Sequence, residues 1–98
     1  MPYVIITTDK PNSLALHNEV RAAHLDYLTT NQHRLLAAGA QIEDDGSDHS
    51  GSVYILEADD RKEAEEFIAN DPFTKAGLFA DIKVTRWRKA FFNYERLV

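Results

Sequence analysis

The residues best equipped for chemistry lie between Leu14 and about Thr29, where His17, Arg21 and His24 recur at intervals of four and three. An α-helix turns about 100° per residue, so this spacing stacks the three on one face. Leu16, Val20, Ala23 and Tyr27 fall to one side of them and Leu14, Leu25 and Leu28 to the other, while Asn18, Glu19, Ala22 and Asp26 form the opposite face. The trio is therefore set inside an apolar arc, where polar groups need carboxylates, backbone groups, water or a ligand as partners. Asp71, just before Pro72, is a candidate carboxylate. An imidazole paired with a carboxylate has a fixed tautomer and raised basicity, which suits general acid–base work near neutral pH. The same two residues also read as a satisfied structural histidine and a helix N-cap, and spacing alone does not choose between the readings.

The elements that must position these groups follow from the pattern around them. Tyr3 to Thr8 is a β-branched, apolar run closed by Asp9-Lys10-Pro11-Asn12, which predicts a strand entering a turn. Asn12 or Ser13 caps the first helix, which runs without Gly or Pro to about Thr29 or Asn31. Arg34 to Glu43 reads as a strand with Gly39 at a bulge or close approach, although Leu35 to Ala38 could also extend the helix to a Gly39 cap. Asp44 to Gly51 is a polar hairpin loop, and Ser52 to Ala58 is a strand. Asp60 with Glu63 resembles a capping box for a second helix that stops near Asn70, with Ala64, Phe67 and Ile68 on its apolar side. Asp71-Pro72 opens a short helical turn ended by Gly77, and Asp81 to about Lys89 is the last strand, with Ile82 and Val84 on one face. The tail from Ala90 to Val98, rich in Phe, Tyr and Leu, is expected to pack on something.

This β-α-β-β-α-β order predicts an α+β, ferredoxin-like sandwich: a four-stranded antiparallel sheet with both helices on one face. Val4-Ile5-Ile6 and Val53-Tyr54-Ile55-Leu56 place apolar side chains on both faces of that sheet. A one-sided sheet alternates with polar residues, so the open face is expected to be covered by a second subunit, giving a homodimer.

Ninety-eight residues match one domain, here 1–98 with its core over about 3–92, and no Gly-, Pro- or Ser-rich linker divides them. A net charge of -5 disfavours nucleic acid and anionic membranes. The absence of cysteine excludes disulfides, thiolate nucleophiles and Cys-ligated metals. The N-terminal segment has no basic stretch and too short an apolar run for a signal peptide or a span, so a cytoplasmic location is expected. No metal site or cofactor is expected: His17, His33 and His49 show no ligand spacing and read as exposed or local structural residues, and the acidic loop lacks the calcium-loop pattern. There is neither a phosphate-cradling Gly-rich loop nor a Gly-x-Ser-x-Gly elbow. Phe73 and Trp87 read more as core or dimer-interface anchors than as ligand platforms, although either could line the pocket.

Several segments, taken in order, resemble the YciI-like (YCII-related) family: the Tyr-Val-Ile strand, Val20-Arg21-Ala22-Ala23-His24-Leu25-Asp26-Tyr27-Leu28, Leu35-Leu36-Ala37-Ala38-Gly39, Gly51-Ser52, Glu57-Ala58, Asn70-Asp71-Pro72-Phe73, Ala76-Gly77-Leu78-Phe79 and Val84 to Trp87. The resemblance implies a ferredoxin-like fold, dimers of the dimeric α+β barrel kind, and an active site built on a His and an Asp, which fall here on His24 and Asp71. Arg21 occupies the matching Arg position, and Ser52 the Ser after the glycine. Many relatives have Gly-Pro where this chain has Gly39-Ala40, a departure in the pocket wall. Some relatives are associated with dehydrochlorination of chlorinated aromatics. Three functions follow as expectations. One is a cofactor-independent lyase-like enzyme using His24 and Asp71 on a small organic molecule, with Arg21 on an anionic or phenolic oxygen. The others are a non-catalytic dimeric module binding a small molecule or anion in the same pocket, and a purely structural dimer in which the polar groups satisfy one another.

Overall fold

Alternating burial along the first strand sets the layering. In the computed structural model, which describes residues 1–47 and 49–98 and only the backbone of residue 49, β1 (Pro2–Asp9) buries Tyr3, Ile5 and Thr7 and leaves Ile6 and Thr8 exposed. The strand is central: it pairs antiparallel with β3 (His49–Glu57) and with β4 (Phe79–Arg86), and β3 pairs antiparallel with β2 (Leu35–Ile42), giving the order β2-β3-β1-β4. This is the ferredoxin-like α+β arrangement expected from the element order.

The segment that could have been helix or strand is strand from Leu35 onward, after a 3-10 turn over Gln32–Arg34. Its register slips between Leu35 and Ala37, a bulge placed before Gly39 rather than at it. Gly51 has the close approach instead: a Cβ there would lie 1.9 Å from the Thr7 carbonyl oxygen, so only glycine lets β1 and β3 pair at this distance. β3 starts at His49, three residues before the expected Ser52. The expected hairpin loop includes Asp48, which lies outside the described residues, as does the His49 side chain.

Helix α1 (Leu14–Thr30) ends where Asn31 folds back, its Nδ2 donating to the Tyr27 carbonyl at 2.8 Å. Helix α2 (Arg61–Ala69) has the cap read from sequence, with Asp60 Oδ1 accepting from the Glu63 amide at 2.9 Å. Glu63 reaches back one residue further than a simple box, to the Asp59 amide at 3.0 Å, and also pairs with Arg34 at 2.9 Å. Helix α3 (Pro72–Lys75) is a single turn with Pro at its start, and the left-handed Gly77 (φ 77°) closes the segment.

Tyr3, Ile5, Tyr54 and Leu56 from the sheet meet Ala64, Phe67 and Ile68 from α2, with Tyr27 and Leu28 of α1 and Val84 of β4 packed around them. Val4, Ile6, Val53 and Ile55 lie on the other face, half-buried or exposed. The tail differs from expectation. Phe91–Phe92 and Glu95–Arg96 form a two-stranded hairpin (β5 and β6) through Asn93 and Tyr94, both left-handed, and Phe91, Tyr94, Leu97 and Val98 remain exposed. Ala90 and Phe92 are half-buried, Phe92 under the Lys89 ammonium. Trp87 is half-buried, its amide bonded to the Pro2 carbonyl.

Candidate active site

Helix α1 buries two residues, and both are histidines: His17 at 8% exposure and His24 at 7%. Seven residues apart, they lie two turns from each other on one face, on the order of 10 Å along the axis. The ring of Phe73, carried by α3, stacks on both, at 4.9 Å from His17 and 4.0 Å from His24. The sequence reading of His17 as an exposed or local residue is thus corrected, while Phe73 is both buried, as read, and on the wall of the site, as its alternative reading allowed. Arg21, expected inside the buried arc, is exposed at the cavity's rim, because its long stem carries the guanidinium out to water. His33 is exposed, as read.

Asp71 is wholly buried between α2 and α3, where four donor contacts converge on its carboxylate. His24 Nδ1 lies 2.9 Å from both Oδ1 and Oδ2. The Phe73 amide donates to Oδ1 at 2.8 Å, which is the α3 cap, and the Tyr54 hydroxyl donates to Oδ2 at 3.2 Å. An ionised carboxylate only accepts, so the shared proton belongs on Nδ1, and Nε2 of the neutral ring carries the lone pair. Burial, and then the Asp71 charge, push the Tyr54 phenol well above its ordinary range and keep it a neutral donor.

The cavity beside this cluster has a volume of about 260 Å³. His17, Arg21, His24, Ser52 and Tyr54 are its polar lining, and Leu25, Leu28 and Phe73 its apolar side. Its third wall is Ala38, Gly39 and Ala40 of β2. Ala38 and Ala40 stand opposite Tyr54 and Ser52, on the helix-bearing face of the sheet. The space exists because side chains this small cannot reach across to α1. The arrangement can hold a small polar molecule against an oriented imidazole, with a guanidinium at the entrance. No carboxylate is among the lining residues, so this part of an acidic chain favours anions.

All four residues singled out in the sequence come together, His24 and Asp71 in direct contact and Arg21 and Ser52 on the cavity wall. His17, placed beside Arg21 and His24 by its spacing but read as structural, joins them, as do Phe73 and Tyr54, of which Tyr54 was not singled out. Tyr54, two residues before Leu56, lies on the buried side of β3 by simple alternation. Among the described residues no group of three or more His, Asp or Glu is placed to hold a metal ion, and no helix is long and apolar enough to cross a membrane.

The ferredoxin-like α+β layer defines the class first. A solved antibiotic biosynthesis monooxygenase shares it with a TM-score of 0.51 at 21% identity, over 87% of this chain and 94% of that one, which is a likeness of fold alone. The finer match is to the YCII-related domain, whose family profile covers residues 1–88, and the chain belongs to that family. An uncharacterized protein of Haemophilus influenzae is 36% identical over 93% of this chain and all of its own length. Protein YciI of Escherichia coli is 34% identical over the same shares. Among solved structures, 5-chloro-2-hydroxyhydroquinone dehydrochlorinase (TftG) of Burkholderia phenoliruptrix, in complex with 2,5-dihydroxybenzoquinone, is 39% identical. Its TM-score is 0.83 over 90% of this chain and 94% of that one.

Proposed function

We propose that this chain is a cofactor-independent acid–base enzyme of the lyase kind, acting on a small anionic or phenolic molecule in the cavity beside His24. The observation that carries the reading is the pairing of His24 Nδ1 with both oxygens of the buried Asp71 at 2.9 Å, on an imidazole that itself lines the cavity. Such a pair leaves Nε2 as the base and stabilises the imidazolium that forms when it takes a proton. About 260 Å³ is below the roughly 300–1,000 Å³ of drug-sized sites, which confines the occupant to a small molecule.

Likeness to TftG supports loss of hydrogen chloride as the reaction. The ring carbon that bears chlorine takes up a proton as one ring hydroxyl becomes a carbonyl. His24 then takes the proton of a second hydroxyl, whose electrons form a second carbonyl and shift the ring double bond onto the former chlorine-bearing carbon as the carbon–chlorine bond breaks, its electron pair leaving as chloride. Nothing is oxidised by an outside reagent, so no redox partner is required. Arg21 holds the oxyanion at the rim, and Ser52 donates a second hydrogen bond.

The test is chloride release from 5-chloro-2-hydroxyhydroquinone. Wild-type turnover is expected to fall at least ~100-fold in His24→Ala and on the order of 10-fold or more in Asp71→Asn. Variants as active as wild type would sink the dyad. Stabilisation by 2,5-dihydroxybenzoquinone without turnover would make the site a binding module instead.

The working unit in this proposal is a homodimer joined through the open sheet face, where Val4, Ile6, Val53 and Ile55 would leave water. That face offers the apolar centre of an interface, and it lies opposite the cavity, so pairing leaves the site open.

A further inference from the structure

Asp71 has two oxygens, and a carboxylate tied down at only one of them is free to swivel about its last torsion. The Phe73 amide fixes Oδ1 at 2.8 Å; on the other side stands Tyr54, whose hydroxyl reaches Oδ2 at 3.2 Å. Tyr54 belongs to a different element from either partner. It sits on β3, 1% exposed, in register with Ile5 of β1 and Ala38 of β2. Its ring meets Phe67 edge-on at 6.0 Å and His24 edge-on at 6.3 Å. The position of that hydroxyl is therefore set by the sheet and the core, not by a mobile side chain.

We propose that Tyr54 is a positioning residue of this site, acting through Asp71 on His24: its hydroxyl fixes the plane of the carboxylate, and so holds the imidazole with Nε2 presented to the cavity. The inference deepens the acid–base reading and rests on it. The His24–Asp71 pair becomes a three-membered network anchored on three elements, with the histidine from the helix, the aspartate from the α3 cap and the tyrosine from the sheet. The Phe73 amide can only donate, and the buried Tyr54 phenol stays protonated, so neither can take the proton that Nδ1 shares with Asp71. Other charged or titratable groups near this network are His17, Arg21 and Tyr27 on α1, the Tyr27 phenol feeling the Asp71 charge, and Asp9 on β1, whose charge reaches Tyr54.

A bystander tyrosine and a positioning tyrosine differ in what the His24 ring reports. The measurement is a pH titration of the imidazole nitrogens by ¹⁵N-edited NMR on the full chain, with the His24 signals assigned by their loss in His24→Gln. In Tyr54→Phe, Asp71 keeps its charge but loses a donor that disperses it, so the imidazolium beside it is favoured. The midpoint should move up by on the order of half a pH unit. An unchanged midpoint in a folded Tyr54→Phe overturns the proposal. Should that variant not fold, 3-fluorotyrosine is placed at position 54: its more acidic phenol donates more strongly to Asp71, so the His24 midpoint should move down instead, and an unmoved midpoint overturns the proposal equally. Neither readout uses a substrate, so a failure of the lyase reading in the chloride assay is told apart from a failure here.

Discussion

Removing the Asp71 carboxylate tests most of the site at once. In Asp71→Ala the α3 cap is lost, and with it the acceptor for the Phe73 amide, at a typical cost of about 1 kcal/mol. The Tyr54 hydroxyl and the His24 Nδ1–H are each left buried without that acceptor, at about 1–3 kcal/mol apiece. These losses share one carboxylate and do not add, so the expected destabilisation is about 3–5 kcal/mol. At about 4–8 °C per kcal/mol for a chain of this size, the melting temperature should fall by about 15–30 °C. Asp71→Asn keeps a carbonyl oxygen for the Phe73 amide and turns an N–H group toward His24 and Tyr54. It should lose only roughly 1–2 kcal/mol, while forcing the imidazole to the opposite tautomer. Urea unfolding followed by far-UV circular dichroism at pH 7.5 measures both, the slope serving as a check that the unfolded states are comparable. An Asp71→Ala protein within 1 kcal/mol of wild type would refute the reasoning, since a buried carboxylate serving these donors cannot be removed so cheaply.

Other consequences are independent of that network. Gly51→Ala places a methyl group 1.9 Å from the Thr7 carbonyl oxygen and 2.8 Å from its carbon, so backbone must move; a loss above about 3 kcal/mol in urea unfolding is expected, and a neutral substitution would contradict the β1–β3 spacing. Glu57 accepts from the Met1 ammonium at 2.7 Å, with Lys89 at 3.6 Å, and this hydrogen bond holds its carboxyl below the ordinary glutamate value. Because the folded value is the lower one, the stabilisation is present above the unfolded value of about 4.3 and is lost as pH falls on through the folded one. Glu57→Gln should therefore be less stable than wild type at pH 7, by less than about 1 kcal/mol given the pair's exposure, with the gap closing as the solution is acidified below the folded value. A gap that widens on acidification would reverse the sign argued here. The proposed homodimer predicts that light scattering reports a dimer for wild type and a monomer for Ile6→Lys, which puts a charge at the middle of the open sheet face; a monomeric wild type, or a dimer unaffected by the lysine, would refute that interface.

Strand β1, the α2 cap at Asp60 and the α3 cap at Asp71 were legible because each rests on local chemistry that sequence displays: alternation, a side-chain acceptor three residues from its amide, and a proline at the first helical position. The β2 segment was harder, since Leu35 to Ala38 has the composition of a helix extension and is made a strand by pairing with β3, a contact remote in sequence. Around the site, periodicity placed His24 on the right face, but it could not show which apolar neighbours would be covered. Leu14 and Leu25 stay exposed while His17 is buried, because burial of α1 is decided by what stands opposite, and opposite stand Phe73 on one side and alanines on the other. The part played by Tyr54 could not be read at all without the fold, since its link to Asp71 joins a strand to a helix cap. The aromatic tail misled for a related reason: composition signals packing only when a surface is available, and this hairpin folds mainly on itself.

The wall that Ala38, Gly39 and Ala40 give the cavity has a consequence for how the family can diversify. None of the three belongs to the buried cluster around Ile5, Leu56 and Phe67, and a Cβ built on Gly39 meets nothing within 4 Å. This stretch of wall thus stands apart from the groups that hold the protein together, although Tyr54 of β3 belongs to both the cavity and the core. A change of ligand size needs only a methyl or two added to or removed from an outer strand, at little cost to folding. Selection can retailor what the site admits while His24 and Asp71 stay where they are.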